Sequence, residues 1–274
     1  TIRDWLAHRA AHGGIAMVFP ETGEELRWDD LRRNAAALAR NLTARGVAKG
    51  ESIAIVHPNG AAGIEALYGV LYGGFRATMI NLAAGRDAIE YALGHSGARF
   101  AFVHESAAAL FSSAAPDGVT AIPVGGDGDI ALHNIGPMDH ALLMYTSGTT
   151  GRPKGVVHTQ ASLLAGGWTT AVAHELTAQD RGFCVLPVYH INGLCVSVMG
   201  ALVSNGSLAV VSKFSASKFW DQVSKSSATW FSVVPTIISH LLHALGDPDA
   251  GCVARLRFGR SASSALAVET QRGF

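Results

Sequence analysis

The sequence predicts an α/β fold of two layers, each a mostly parallel sheet flanked by helices. Helix-like and strand-like segments alternate through both halves at the spacing of βαβ units. The strand-like segments are short and apolar, and turn residues bound several of them. Apolar residues make up 49 % of the 274 residues and charged residues 15 %, against about 25 % in a typical globular chain. That composition excludes intrinsic disorder and supplies enough apolar surface for a sizeable core.

Taken in order, residues 28–45 place Leu31, Ala35, Leu38 and Leu42 on one helical face, with Asp29 or Asp30 as a cap and Gly46 as a stop. Residues 52–57 (SIAIVH) read as a strand ended by the turn Pro58-Asn59-Gly60. Residues 64–72 read as a buried helix, 77–80 as a strand, 86–93 as a helix and 99–103 as a strand. Turn clusters at 116–118 and 125–129 lead to a strand at 141–145. In the second half, strands are expected at 183–186, 207–211, 229–233 and 253–258, and helices at 193–203 and 236–245. Residues 215–225 form an amphipathic helix with Ser215 as cap and Phe219, Trp220 and Val223 on its apolar side. A last helix starts within 265–274.

Composition also narrows the function. Lys plus Arg and Asp plus Glu both number 21, so the formal net charge is zero and gives no footprint for nucleic acid or an anionic membrane. Cys184, Cys195 and Cys252 are odd in number and widely spaced, which disfavours a disulfide framework or a zinc site. A reducing, cytoplasmic setting is expected. Residues 182–212 lack Asp, Glu, Lys and Arg, a stretch long enough to span a bilayer. Pro187, His190, Asn192 and Asn205 interrupt it, so it reads as a buried strand–loop–helix–strand passage with no membrane span, membrane insertion being the minor alternative.

The segment with the most chemistry is Tyr145-Thr146-Ser147-Gly148-Thr149-Thr150-Gly151-Arg152-Pro153-Lys154-Gly155, which follows the apolar run 141–144 and precedes Val156-Val157. Its glycines free the backbone to aim successive N–H groups at an anion. Thr146, Ser147, Thr149 and Thr150 add short donors, and Lys154 adds a mobile positive charge. The composition is that of a phosphate cradle. It is not the Walker A pattern, because Gly148 and Gly151 are three apart and Lys154 follows proline.

This eleven-residue run closely resembles the signature of the adenylate-forming (AMP-binding) superfamily, which includes acyl-CoA synthetases and peptide-synthetase adenylation domains. The resemblance extends in order along the chain. It includes the helix and turn at 28–50, Leu186-Pro187-Val188-Tyr189-His190 at the LP-x-x-H segment, residues 214–220, and Trp230–Thr236 (WFSVVPT). Ser261-Ala262-Ser263-Ser264-Ala265-Leu266 lies where the family has S-G-[GA]-[AE]-P-L.

The resemblance implies two stacked parallel-sheet α/β layers of an acyl-CoA synthetase N-terminal domain, lacking most of the β-barrel and the C-terminal domain. The expected organisation is a leading segment, 1–46, packing with the second layer. A first subdomain follows at 47–175, then a second, truncated one at 176–274. The implied reaction converts a small-molecule carboxylic acid and ATP, with Mg2+, to an acyl-adenylate, and then forms a thioester with coenzyme A. Loading of a carrier-protein thiol, or a catalytically dead nucleotide-binding fragment, are the alternatives.

By position, Thr146, Ser147, Gly148, Thr149, Thr150, Gly151 and Lys154 would grip the nucleotide phosphates, with Thr149 toward the metal. Ser261, Ala262 and Ser263 would line the adenine and acyl pocket. His190 would stand beside the carboxylate and the thiol path, and His190 and Lys154 are the expected catalytic residues. Ala262 and Ala265 depart from the family's Gly and Pro, which puts the turn geometry there in question. Arg260, beside that pocket, reads as an exposed or salt-bridged arginine, with recognition of a second substrate anion as the alternative. His240 and His243, at i and i+3, lack a third ligand for a metal. The family's later motifs are missing, so this stretch is expected not to complete adenylation alone. Exposed apolar surface would then favour a homodimer or aggregation.

Overall fold

The computed structural model describes residues 1–146, 153–244 and 246–274. In chain order its strands are β1 (Ile15–Phe19), β2 (Glu24–Arg27), β3 (Ser52–Val56), β4 (Arg76–Met79), β5 (Phe100–Val103) and β6 (Thr120–Ile122). They continue as β7 (His140–Thr146), β8 (Lys154–Thr159), β9 (Arg181–Cys184), β10 (Ser207–Val210), β11 (Trp230–Val233) and β12 (Phe258–Ser261). The chain forms two compact units: Thr1–Gly14 with Arg27–Ala165, and Ile15–Leu26 with Gly166–Phe274.

The first unit is a six-stranded sheet in the order β6-β5-β3-β4-β7-β8. Every pairing is parallel except β7 with β8. A central parallel strand is covered on both faces, which explains why β3 is buried at every position. The helices Trp28–Ala44 and Ala61–Gly73 pack closely, and a Cβ at Gly69 would overlap the Leu38 side chain down to its own Cβ. The helix Trp28–Ala44 is capped by Arg27, which makes no side-chain cap bond, so Asp29 and Asp30 are not its cap. Both carboxylates instead sit in the first turn, where the helix dipole favours negative charge. Asp30 also pairs with Arg33.

The helix Ile2–His12, not anticipated from the sequence, starts with a reciprocal capping box between Thr1 and Asp4. Its first turn is tied down by Gln160, which is fully buried. The Gln160 Oε1 accepts from the Ile2 N–H at 2.9 Å, and Nε2 donates to the Leu71 carbonyl at 3.0 Å. The helix Gln160–Ala173 directly follows β8, so this bond pair fixes the downstream end of the β7–β8 hairpin.

The second unit is a six-stranded sheet in the order β12-β11-β9-β10-β1-β2, parallel from β12 through to β1. Its core gathers Phe183, Val211, Phe219, Val223, Phe231, Val233 and Ile238. Residues 193–203 are helical as expected, but Asn192–Met199 is wound as a π-helix and only Gly200–Ser204 as an α-helix. The segment 215–225 opens with a 3₁₀ turn, Ala216–Lys218, and Ser215 caps it through no side-chain bond. Residues 253–258 are not a strand. The carboxylate of Asp249 accepts the Cys252 N–H at 2.8 Å and starts a short helix, Ala250–Arg255, so the strand begins only at Phe258. No helix among the described residues is long and apolar enough to cross a membrane.

Two measurements probe this packing. Substituting Gly69→Ala gains about 1 kcal/mol of helix propensity but must displace Leu38, so a net loss of about 1 kcal/mol is expected, read as a lower denaturation midpoint. His57 is 5 % exposed, its Nε2 has no hydrogen-bond partner, and its ring stands edge-on to His104 at 5.4 Å. Burial, with a smaller push from His104, lowers its pKa from 6.5 to about 4. The folded state therefore resists protonation that the unfolded chain accepts. Stability is retained above pH 6.5 and lost as pH falls from there to about 4, and His57→Phe should flatten that part of the stability–pH curve.

Candidate active site

Strand β7 carries the chain from the core to the surface. Ala141 to Met144 are buried, Tyr145 is half-buried and Thr146 is exposed. Strand β8 returns antiparallel, with Tyr145 opposite Gly155 and Thr146 opposite Lys154. The register clamps both ends of the glycine- and hydroxyl-rich run. Ser147, Gly148, Thr149, Thr150 and Gly151 lie outside the described residues. Lys154 is exposed and makes no salt bridge among the described residues, so its ammonium is free for an anionic ligand.

Next to this hairpin the first unit holds a cavity of about 820 Å³. Met79, Ile80 and Asn81 at the end of β4 line it, with Arg86, Tyr91 and Ala92 of the helix Arg86–Ser96, and Tyr145, Thr146 and Pro153. It lies beyond the carboxyl ends of the parallel neighbours β4 and β7, the usual binding position in an open α/β sheet. The Tyr145 hydroxyl lies 2.9 Å from Nδ1 of His95, and burial raises the Tyr145 pKa to about 12, so the phenol stays neutral. Sequence reasoning missed Asn81 and Arg86, because they sit in a loop and a first helical turn without a motif.

His190, Ser261, Ala262 and Ser263 belong to the second unit. The His190 N–H donates to the Pro187 carbonyl at 3.0 Å and its ring meets Tyr189 edge-on. The residue is exposed, yet desolvation on the protein side of the ring holds its pKa below the usual histidine range. Two residues on, the amide of Asn192 reaches the other predicted segment, its Nδ2 donating to Ser263 Oγ at 3.3 Å. Ala262 extends the β11 ladder through a 3.1 Å bond from its N–H to the Val233 carbonyl. The left-handed conformation falls instead on Ser263, at φ +74°. Ser261 Oγ is buried without a hydrogen-bond partner.

Arg260 is neither exposed nor salt-bridged among the described residues. It is half-buried, and Nη1 donates at 3.0 Å to both Asn192 Oδ1 and Ser232 Oγ. The described residues offer no group of three or more His, Cys, Asp or Glu that could hold a metal. His243 Nδ1 lies 2.7 Å from the Ser239 carbonyl and His240 lies against Phe214.

The family described as AMP-binding enzyme matches residues 5–274. The chain belongs to the AMP-binding enzyme family. It is 37 % identical over 273 residues to the sulfoacetate–CoA ligase of Cupriavidus necator, covering 94 % of this chain and 53 % of that protein. It is 29 % identical over 261 residues to the oxalate–CoA ligase of Arabidopsis thaliana, covering 88 % and 50 %. The chain thus spans about half the length of the curated relatives it matches. Its fold is that of the N-terminal domain of FACL13 from Mycobacterium tuberculosis, solved with an inhibitor. That match has a TM-score of 0.88 at 23 % identity and covers 99 % of this chain and 72 % of that one.

For this AMP-binding family member, nuclear magnetic resonance titration of the imidazoles should show His190 titrating below 6.5 and neutral at pH 7.

Proposed function

We propose that the polypeptide carrying this chain is an acyl-CoA ligase that activates a small carboxylic acid with ATP. The observation that carries this reading is the free Lys154 ammonium, set opposite Thr146 across the neck of the glycine- and hydroxyl-rich run, beside the cavity. In the first step a carboxylate oxygen attacks the α-phosphorus, the bond to the β-phosphate oxygen breaks, and pyrophosphate leaves. In the second the sulfur of coenzyme A attacks the acyl carbon, the bond to AMP breaks, and the thiol proton is released.

The obstacle is the charge on the departing polyphosphate. Lys154 would meet that charge, with Thr146 and the loop donors Ser147, Gly148, Thr149, Thr150 and Gly151 completing the grip. Mg2+ would share the same phosphates, with Thr149 as its proposed contact, and would supply further charge neutralisation. His190, kept neutral by desolvation, would offer a hydrogen bond beside the acid and the incoming thiol. Ser261, with its uncommitted hydroxyl, Ala262 and Ser263 would border the adenine and acyl groups. The substrates in the names of the two ligases above, sulfoacetate and oxalate, are both short acids, which supports a small acid here.

The test is hydroxamate trapping of the acyl-adenylate over a panel of acids, using the polypeptide that carries the chain. Acid-dependent hydroxamate and pyrophosphate are expected, and their absence from a folded protein overturns the reading. Lys154→Ala should lower kcat/KM for ATP by about a hundredfold with an unchanged denaturation midpoint, since the side chain is exposed.

A further inference from the structure

The β11–β12 register sets Ser232 opposite Arg260, so both side chains leave the sheet on the same face. Asn192, at the start of the π-helix, closes over them. Its Oδ1 accepts from Ser232 Oγ at 3.1 Å and from Arg260 Nη1 at 3.0 Å, while its Nδ2 donates to Ser263 Oγ at 3.3 Å. The amide orientation is thereby fixed, and its acceptor is fully used.

What remains unspent is of one kind. The Ser263 oxygen already accepts a bond, which leaves its O–H to donate. Arg260 commits only Nη1, leaving Nε and Nη2 without a partner among the described residues. No carboxylate among the described residues lies in salt-bridge range of this guanidinium. Arg257, three residues earlier, shows the purely structural arrangement instead, with Nη1 2.6 Å from Asp180. The charge of Arg260 also reaches His174, where it adds to burial in pushing the imidazole toward its neutral form. A half-buried cation with surplus donors and no counter-ion is complementary to an anion with several acceptor oxygens.

We propose that Arg260, held in place by Asn192 and Ser232, reads a second anionic group on the acid, so that the substrates are short carboxylic acids bearing a further carboxylate or sulfonate. This rests on the ligase reading above. The fork of a guanidinium suits either group, and an acid with an alkyl tail would leave the charge unmatched. The competing role is internal, with Arg260 only steadying Asn192. In that case its loss would weaken all acids alike.

The experiment compares wild type, Arg260→Gln and Arg260→Lys in the polypeptide carrying the chain, using malonate and sulfoacetate against propionate at fixed ionic strength. Two readouts are taken: kcat/KM for hydroxamate formation, and the shift in melting temperature caused by each acid. Wild type should favour the two dianions by at least about tenfold. Arg260→Gln should lose about tenfold or more on the dianions while propionate stays within about threefold, and Arg260→Lys should fall between. Equal losses on both classes, or a wild-type preference for propionate, overturn the proposal. If no acid gives hydroxamate, the ligase reading fails, and the melting shift judges Arg260 separately. Stabilisation by dianions in wild type but not in Arg260→Gln upholds an anion site, and its absence overturns one. Circular dichroism of both variants excludes simple misfolding.

Discussion

The pairing of Thr146 with Lys154 is the constraint on which the functional geometry depends. A parallel sheet sends its strands the same way, and a connection between neighbours must then cross a whole layer. Strand β8 breaks that rule by turning back beside β7. The reversal brings the two ends of the glycine- and hydroxyl-rich run to one neck, with Thr146 opposite Lys154. Buried residues of β7 hold one side, and Gln160 holds the other. Anchorage close to the loop lets the intervening run be rich in glycine without loosening the sheet.

The second unit uses a different device. There the polar residues are organised by hydrogen bonds among themselves, with Asn192 as the hub. The hub is the first residue of the π-wound segment, and such wider turns change which side chains share a face. Ser263 in a left-handed conformation brings the end of β12 back toward that hub. The result is a cluster biased toward donors on a chain whose overall charge is balanced.

Much of the fold was legible because its elements obey local rules. The helix Trp28–Ala44 announces itself through Leu31, Ala35, Leu38 and Leu42, and β3 through an unbroken apolar run. The hairpin neck was legible too, since the run from Tyr145 to Gly155 is dense in chemistry-bearing residues. What escaped was set by distant partners. The helix Ile2–His12 has only a weak apolar face and is secured by Gln160, 158 positions away. The strand β1 escaped although Ile15–Phe19 is an apolar run between Gly14 and Pro20, and its partner β10 lies far along the chain. Residues 253–258 mimic a strand through Val253, Leu256 and Phe258, and only the Asp249 cap decides for a helix. Arg260 was misjudged for the same reason, because its partners Asn192 and Ser232 lie 68 and 28 residues away.

Gln160 has a further consequence. One carboxamide joins residues 2, 71 and 160, three points scattered across the first unit's sequence. The opening helix is therefore no detachable tail. Trimming even a few residues from that end, or replacing the amide by an acid, strips the hairpin's far anchor of its partner and leaves a polar group stranded in the interior. The tolerance of this chain to alterations at its beginning is decided at a side chain more than half its length away.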